Sequence, residues 1–284
     1  MVTRSLILTA AWLTSAALAG SQPAVRTGIS HVCLAVADLD KASADFAALG
    51  FALKEGRPHP DGIRNRHVKF KDGTEIELIT APAATDDLTR HYRDFLQHGD
   101  GVAFLSLVVE PPDVAVDRLA TVGLPATRGE VYVDFPYEGP LGYLFFAPLN
   151  HSPTDRPEHF AHANSATSLT GVRLESASFD AERRLVRGLG LAEGVCGPNT
   201  QVAGLTCVVL SDGGELMLAP NAGTSRARVT QLLVNVVSVD RLTAALRAAN
   251  VAFQRVGTNP GAMAVDGAVT HGVTLRFQEG RPHQ

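Results

Sequence analysis

Apolar and polar residues alternate from residue 29 to residue 37, with Gly28 and Asp38 at the ends, so this stretch reads as a half-buried strand. The period then changes. Leu39, Ala42, Phe46 and Leu49 recur at helical spacing behind Asp38, a good N-cap, and Gly50 supplies the stop. Residues 51–55, 65–70 and 74–80 read as three more strands. A Pro- and Gly-rich loop at 57–64 and a Lys71-Asp72-Gly73 turn separate them. The pattern predicts one βαβββ unit.

The same phrase returns without a gap. Val32, Leu34, Asp38, Leu39, Phe46, Leu49, Gly50 and Phe51 fall on Val172, Leu174, Ser178, Phe179, Val186, Leu189, Gly190 and Leu191. A unit at about 102–149 carries a strand at 103–109, a helix at 113–122 stopped by Gly123, and a closing strand at 143–146. A third spans 169–220. The fourth spans 229–277, with a strand at 231–237, Ser238 as N-cap, a helix at 240–249 and Asn250 as stop. Asp113, Leu119, Gly123 and Leu124 fall on Asp240, Leu246, Asn250 and Val251. The expected fold is α+β: four tandem βαβββ units forming two cup-shaped mixed sheets with helices outside. Residues 20–149 and 169–284 are the expected domains, the second a degenerate copy, joined by a His-, Pro- and Asn-rich linker at 150–168. His31 falls opposite Gly171, so the repeat itself does not require a histidine there.

Composition narrows the function. With 284 residues, 45% hydrophobic and 19% charged, the chain is globular rather than disordered. A net charge of -4 gives no reason to expect nucleic acid. Residues 1–19 read as a secretion signal: Arg4, an apolar run at 5–16, then Ala17-Leu18-Ala19 as the cleavage site. Ser21, not Cys, follows Gly20, so no lipid anchor and no stable membrane association are expected, and the protein is expected to be secreted or periplasmic. Cys33 reads as a buried thiol in a core strand. Cys196 and Cys207 can pair across a hairpin, and no two cysteines have zinc-site spacing.

An ordered set of short motifs carries a family resemblance. It comprises Ile29-Ser30-His31-Val32, Asp38-Leu39, Gly56-Arg57-Pro58-His59-Pro60 with Asn65, Glu75-Ile76-Glu77-Leu78-Ile79, and His162-Ala163-Asn164. The set resembles glyoxalase-like domain proteins of the vicinal oxygen chelate superfamily, which includes glyoxalases, bleomycin-resistance proteins and extradiol dioxygenases. It covers nearly all of the chain after residue 19. The resemblance implies paired units curled into a cup, with a divalent metal on the concave face held by residues of the first and fourth strands.

Strand alternation tests this independently. Val32, Leu34 and Val36 form the apolar face of the first strand, which leaves His31, Cys33 and Ala35 on the other. Ile76 and Leu78 likewise turn Glu75, Glu77 and Ile79 away from the helix. His31 and Glu77 therefore share the non-helical face, a donor pair suited to Zn, Mn, Ni or Fe. The alternative is a hydrogen-bonded strand histidine, with Glu77 paired to Arg64 or Arg66. The second unit offers Phe104 to Ser106 and Tyr143 to Phe146, with no His and no acid, so the four-ligand set of the glyoxalase type is incomplete. A third ligand must come from a loop. His162 is the expected one; His59, His67, His151 and His159 stay open. Glu77 or Glu75 is the expected base, and His59, Asn65, Arg57 and Arg64 the expected substrate contacts, with Tyr132 and Tyr137 at the opening. In the C-terminal half Gly171 and Met217 stand where His31 and Glu77 stand in the first, against an extradiol dioxygenase design, whose ligands lie there. The expected function is a metal-dependent lyase, isomerase or hydrolase acting on a small oxygenated compound. The alternatives are a metal-free small-molecule binding protein, or an accessory domain whose cup is filled by apolar side chains; a homodimer is left open.

Overall fold

The computed structural model describes residues 24–196, 204–223, 227–257 and 261–280; the expected signal segment at 1–19 lies outside them. In chain order the elements are β1 (Arg26–Ala35), α1 (Leu39–Ala48), β2 (Lys54–Glu55), β3 (Arg64–Lys69), β4 (Glu75–Thr80), α2 (Asp87–Leu96), β5 (Gly101–Glu110), α3 (Pro112–Thr121), β6 (Thr127–Arg128), β7 (Val133–Asp134) and β8 (Leu144–Phe146). A 3-10 turn (Pro157–Phe160) leads to β9 (Ala166–Ser176), α4 (Asp180–Gly188), β10 (Glu193–Val195), β11 (Thr206–Val209), β12 (Glu215–Pro220), β13 (Arg228–Val236), α5 (Val239–Ala248), β14 (Gln254–Arg255), β15 (Ala262–Val265) and β16 (Thr274–Glu279). Helix α2 is an addition that the repeat pattern does not contain.

The local signals act as physical chemistry dictates. The Asp38 carboxylate accepts from Lys41 N at 2.9 Å and starts α1; Ser238 does the same for α5 from Arg241 N at 3.2 Å. Gly50 and Asn250 stop these helices at φ 88° and 55°, a left-handed conformation that Gly and Asn tolerate.

Strand β1 lies between β4, its parallel partner, and β5, its antiparallel one; β3 and β2 continue the sheet beyond β4. The C-terminal half follows the same plan: β9 between parallel β12 and antiparallel β13, then β11 and β10. Where two sheets are expected, one residue pair, Val229 with Val102, joins β13 to β5 and makes a continuous 16-stranded network.

On the helical face, Val32, Leu34, Ile76 and Leu78 pack with Phe46 and Leu49 around α1, all fully buried. Truncating a side chain such as Phe46 to Ala costs about 3–5 kcal/mol. The inner face, away from α1, is divided. At one end Tyr92, Leu88, Phe95 and Leu96 of α2 cluster with Cys33, Ala35, Ile79 and Phe104. Beyond them, His31, Glu75 and Glu77 border a cavity of about 580 Å³. In the C-terminal half a Cys196–Cys207 disulfide, with Cα atoms 4.9 Å apart, ties the end of β10 to β11. Among the described residues no helix is long and apolar enough to cross a membrane.

Candidate functional site

The β1–β4 register builds the site. His31 stands opposite Glu75 and Cys33 opposite Glu77. The antiparallel partner adds Phe104 opposite Cys33 and Ser106 opposite His31. From β3, Asn65 lies opposite Ile79 and His67 opposite Glu77, so both share this face. His31, Cys33 and Glu77 each offer one potential ligand atom, and these atoms lie within 4.8 Å of one another.

Each of the three is held by a named partner. The Ser30 hydroxyl donates to the Pro148 carbonyl at 3.0 Å. Its one proton is thereby used, so at 2.9 Å it accepts from His31 Nδ1, which carries the ring hydrogen and leaves the lone pair on Nε2. The His31 ring also packs edge-on against Phe145, centroids 5.3 Å apart. Glu77 accepts twice, from Asn65 Nδ2 at 2.5 Å and from the Cys33 thiol at 3.2 Å. Burial, then the adjacent Glu77 charge, push the Cys33 pKa up, so Cys33 is a thiol here. Gly56 leaves room for Asn65: a Cβ on residue 56 would lie 1.7 Å from Asn65 Oδ1.

Around this trio runs a buried ionic network. Lys69 is 1% exposed and pairs with Glu75 Oε2 at 3.2 Å and Asp155 Oδ2 at 3.3 Å; it also bonds the Asn150 carbonyl. Asn150 Nδ2 donates to both Glu75 oxygens at 3.1 Å. His67 Nδ1 lies 3.4 Å from Glu75 Oε1. Burial alone would raise the Glu75 pKa. The bond to His67 and the charges of His67 and Lys69 outweigh it and hold the pKa at about 2. Burial would lower the His67 pKa, but Glu75 and Glu77 outweigh that and raise it. Lys54 pairs with Asp155 at the same rim.

The expected site residues divide. His31, Glu77, Glu75, Asn65, Arg57 and His59 all border the cavity. Asn65, expected as a substrate contact, orients Glu77 instead. Glu75, expected as a candidate base, is a poor one: it is 2% exposed, ionised and committed to Lys69 and Asn150. Arg64 does not reach the cavity; it is exposed on the α1 side, 3.7 Å from Asp40. Arg66 pairs with Asp40 and Glu55, so Glu77 is free of both arginines. His162 is corrected outright. Its Nδ1 accepts from Ala52 N at 3.0 Å, and Nε2–H donates to the Lys69 carbonyl at 2.9 Å. Burial then lowers its pKa. With both ring nitrogens committed, it pins the 150–168 segment to the first unit and is not brought to His31 and Glu77.

The roles of three participants, Cys33, Ser30 and Asn150, escape the sequence reading. Cys33 was legible as a member of the His31 face but reads as core because it is a small hydrophobe. Ser30 lies within Ile29-Ser30-His31-Val32, but nothing in that motif announces its hold on the His31 ring, and Asn150 carries no motif. Tyr92 was legible: Asp86, then Leu88, Tyr92, Phe95 and Leu96, is an N-cap and an apolar helical stripe.

The same positions in the C-terminal half are filled. Gly171 is opposite Glu215, and Met217 opposite Arg173. A Cβ on Gly171 would meet Leu233 Cδ2 at 3.1 Å, so Leu233 occupies the space into which a histidine would project. Cys207, Met217 and Leu233 cluster there.

The donor set of the first half fits a borderline dication: an imidazole with a free lone pair, a carboxylate and a sulfur. The cavity-lining His59 has its Nε2 buried without a hydrogen-bond partner, as at a site that takes a ligand.

Comparison with known proteins agrees with this architecture. No curated protein matches the chain. Among solved structures, a hypothetical protein from Staphylococcus aureus superposes with a TM-score of 0.62 at 11% identity, covering 89% of this chain and 99% of that one. A variant of 4-hydroxymandelate synthase from Streptomyces coelicolor gives 0.58 at 14% identity, covering 90% and 93%. BphC, a halotolerant catechol dioxygenase, gives 0.59 at 11% identity, covering 90% and 87%. These likenesses are of fold. The model of the glyoxalase-like domain family matches residues 29–190, more than half of the sequence and all of the His31 site, and the chain belongs to that family.

Proposed function

We propose that the protein is a metal-dependent enzyme of the lyase, isomerase or hydrolase type that takes hold of two adjacent oxygens of a small compound, with His31 and Glu77 as the anchors of the metal. The observation that carries this reading is the β1–β4 register, which sets both side chains on the cavity side of the sheet. A bound dication supplies Lewis acidity, stabilising an oxyanion or enediolate. The chain's own residues do the rest. Ser30 fixes the His31 tautomer, and Asn65 fixes the Glu77 carboxylate. Arg57, exposed at the rim, and His59, whose buried Nε2 lacks a partner, are the groups we assign to an anionic part of the substrate. Tyr132 and Val131, both exposed, add apolar surface to the cavity lining.

The test is elemental analysis of protein purified without chelator or affinity-tag histidines, beside His31→Ala and Glu77→Ala. The expected result is about one equivalent of Zn, Mn, Ni or Fe, lost in both variants. No metal after reloading with each of these would overturn the mechanism. One observation favours a second reading, a metal-free binding protein: Asn65 and Cys33 satisfy both Glu77 oxygens without a cation. That outcome would redirect the search to ligands of the cavity.

We also propose that the protein is exported, secreted or periplasmic, in keeping with the signal-like residues 1–19 and with a Cys196–Cys207 disulfide, which an oxidising compartment maintains. N-terminal sequencing of protein recovered outside the cytoplasm tests this; an intact Met1 in a cytoplasmic pool would refute it.

A further inference from the structure

We infer that Cys33 is the third protein ligand, and that one metal ion takes the place of the single thiol proton now shared between Cys33 and Glu77. The inference rests on the metal-binding reading above and goes past it to the identity of the coordination set.

Among the described residues, the second unit brings no His, Cys or acid to the His31–Glu77 cluster. Opposite β1 it presents Phe104 and Ser106, and β8 sets Phe145 beside Ser106. The loop histidine expected to complete the set, His162, is spent on backbone bonds. Cys33 stands on the same face as His31, two residues along β1, and is the register partner of Glu77 itself. Its sulfur is 3.2 Å from Glu77 Oε2, and its potential ligand atom falls within the same 4.8 Å cluster.

The hydrogen-bond pattern says which atoms are available. Asn65 holds Glu77 Oε1, leaving Oε2, whose donor is the Cys33 thiol. When a cation enters, the S–H bond breaks, a sulfur–metal bond forms, and the proton leaves to water. Oε2 loses its donor at the same moment and becomes free for the same cation. Neither event needs Asn65 or Ser30 to move. Three protein ligands from one βαβββ unit leave a coordination position open, the pattern of catalytic rather than structural zinc sites. A thiolate in the set selects Zn, Co or Ni over Mn or Mg.

The other two cysteines are joined as a disulfide, so Cys33 is the one free thiol of the chain. That makes the test unambiguous. Metal-stripped protein is titrated with Co(II) and followed by near-ultraviolet absorption, where thiolate-to-cobalt charge transfer appears. The expected result is one equivalent bound with that band. Cys33→Ser should lose the band and bind cobalt at least about tenfold more weakly. Cys33→Asp should shift preference from Zn towards Mn in a competition assay. Stoichiometric cobalt binding that needs His31 and Glu77 but shows no charge-transfer band would overturn the Cys33 assignment and leave the metal reading standing. No cobalt binding by the folded wild type would remove both. The wild-type spectrum decides the question even if a Cys33 variant fails to fold.

Discussion

Asn65 Nδ2 donates to Glu77 Oε1 at 2.5 Å, while Gly56 lies so close to the Asn65 amide that it has no room for a side chain. The site is thus supported from two strands and a loop at once. Asn65→Ala removes a charge-assisted bond to a partly buried carboxylate. We expect a loss of about 1.5–3 kcal/mol in stability, read by urea unfolding. Metal affinity should fall about 10- to 100-fold, read by competition with a chromophoric chelator. Gly56→Ala should act through the same amide and destabilise by about 1–3 kcal/mol. Unchanged affinity in Asn65→Ala would mean that Glu77 is oriented by something else.

The Glu75–Lys69 pair makes a different prediction, one about acid. The folded pKa of Glu75 is held at about 2, below its ordinary value of 4.5. A depressed carboxylate stabilises the fold above its unfolded pKa and loses that contribution as pH falls through the folded one. About 3 kcal/mol should therefore disappear between roughly pH 4.5 and 2. The His67 pKa is raised, so its contribution has the opposite sense: full below the unfolded value and lost as pH rises through the folded one. Urea midpoints measured across pH should show both limbs, and Glu75→Gln should flatten the acidic one. Lys69→Met leaves Glu75 buried without its cation and should cost about 3–5 kcal/mol.

His162 separates support from chemistry. His162→Ala cuts the bonds to Ala52 N and the Lys69 carbonyl in a buried setting. Stability should fall by about 2–6 kcal/mol, with two backbone groups left unpaired at about 1–3 kcal/mol each. Metal content per folded molecule should stay unchanged. Because burial lowers its pKa, stability contributed by neutral His162 is present above the unfolded value of about 6.5 and declines as pH falls below it. Metal loss in a folded His162→Ala protein would restore it as a ligand.

The disulfide yields the fourth prediction. Cys196 and Cys207 are 11 residues apart, so reduction releases a short loop. Replacing both by Ser should cost about 2–3 kcal/mol of stability. The His31 site is in the other half of the chain, so its metal content should not change. A parallel drop in metal binding would show that the halves are energetically coupled.

Period and punctuation made most of the architecture legible. Asp38, Gly50, Ser238 and Asn250 mark helix ends that the structure bears out, because caps and left-handed stops act locally. Alternation placed His31 and Glu77 on one face for the same reason: the side-chain period of a strand is fixed at two. What sequence reading missed depends on long-range approach. His162 carries the right chemistry for a ligand, yet Ala52 and Lys69, far off in sequence, take both of its nitrogens. Glu75 and Glu77 look interchangeable two residues apart, and only the neighbours Lys69 and Asn150 make one a structural ion and the other a site carboxylate. Arg64 and Arg66 looked like partners for Glu77, but the outward face of β3 sends them to Asp40.

Leu233 closing over Gly171, against the hollow beside His31, has a consequence for how the chain can change. A cavity bordered by ions forgoes close packing, and packing supplies much of a fold's margin against mutation. Here the hollow and the dense version of one sheet plan are hydrogen-bonded into a single network, so the dense copy can carry the margin that the hollow one lacks. Substitutions around the cavity that alter specificity should then be tolerated more readily than their local cost suggests, and stabilising changes for laboratory evolution are best introduced around Leu233, Met217 and Cys207, away from the chemistry.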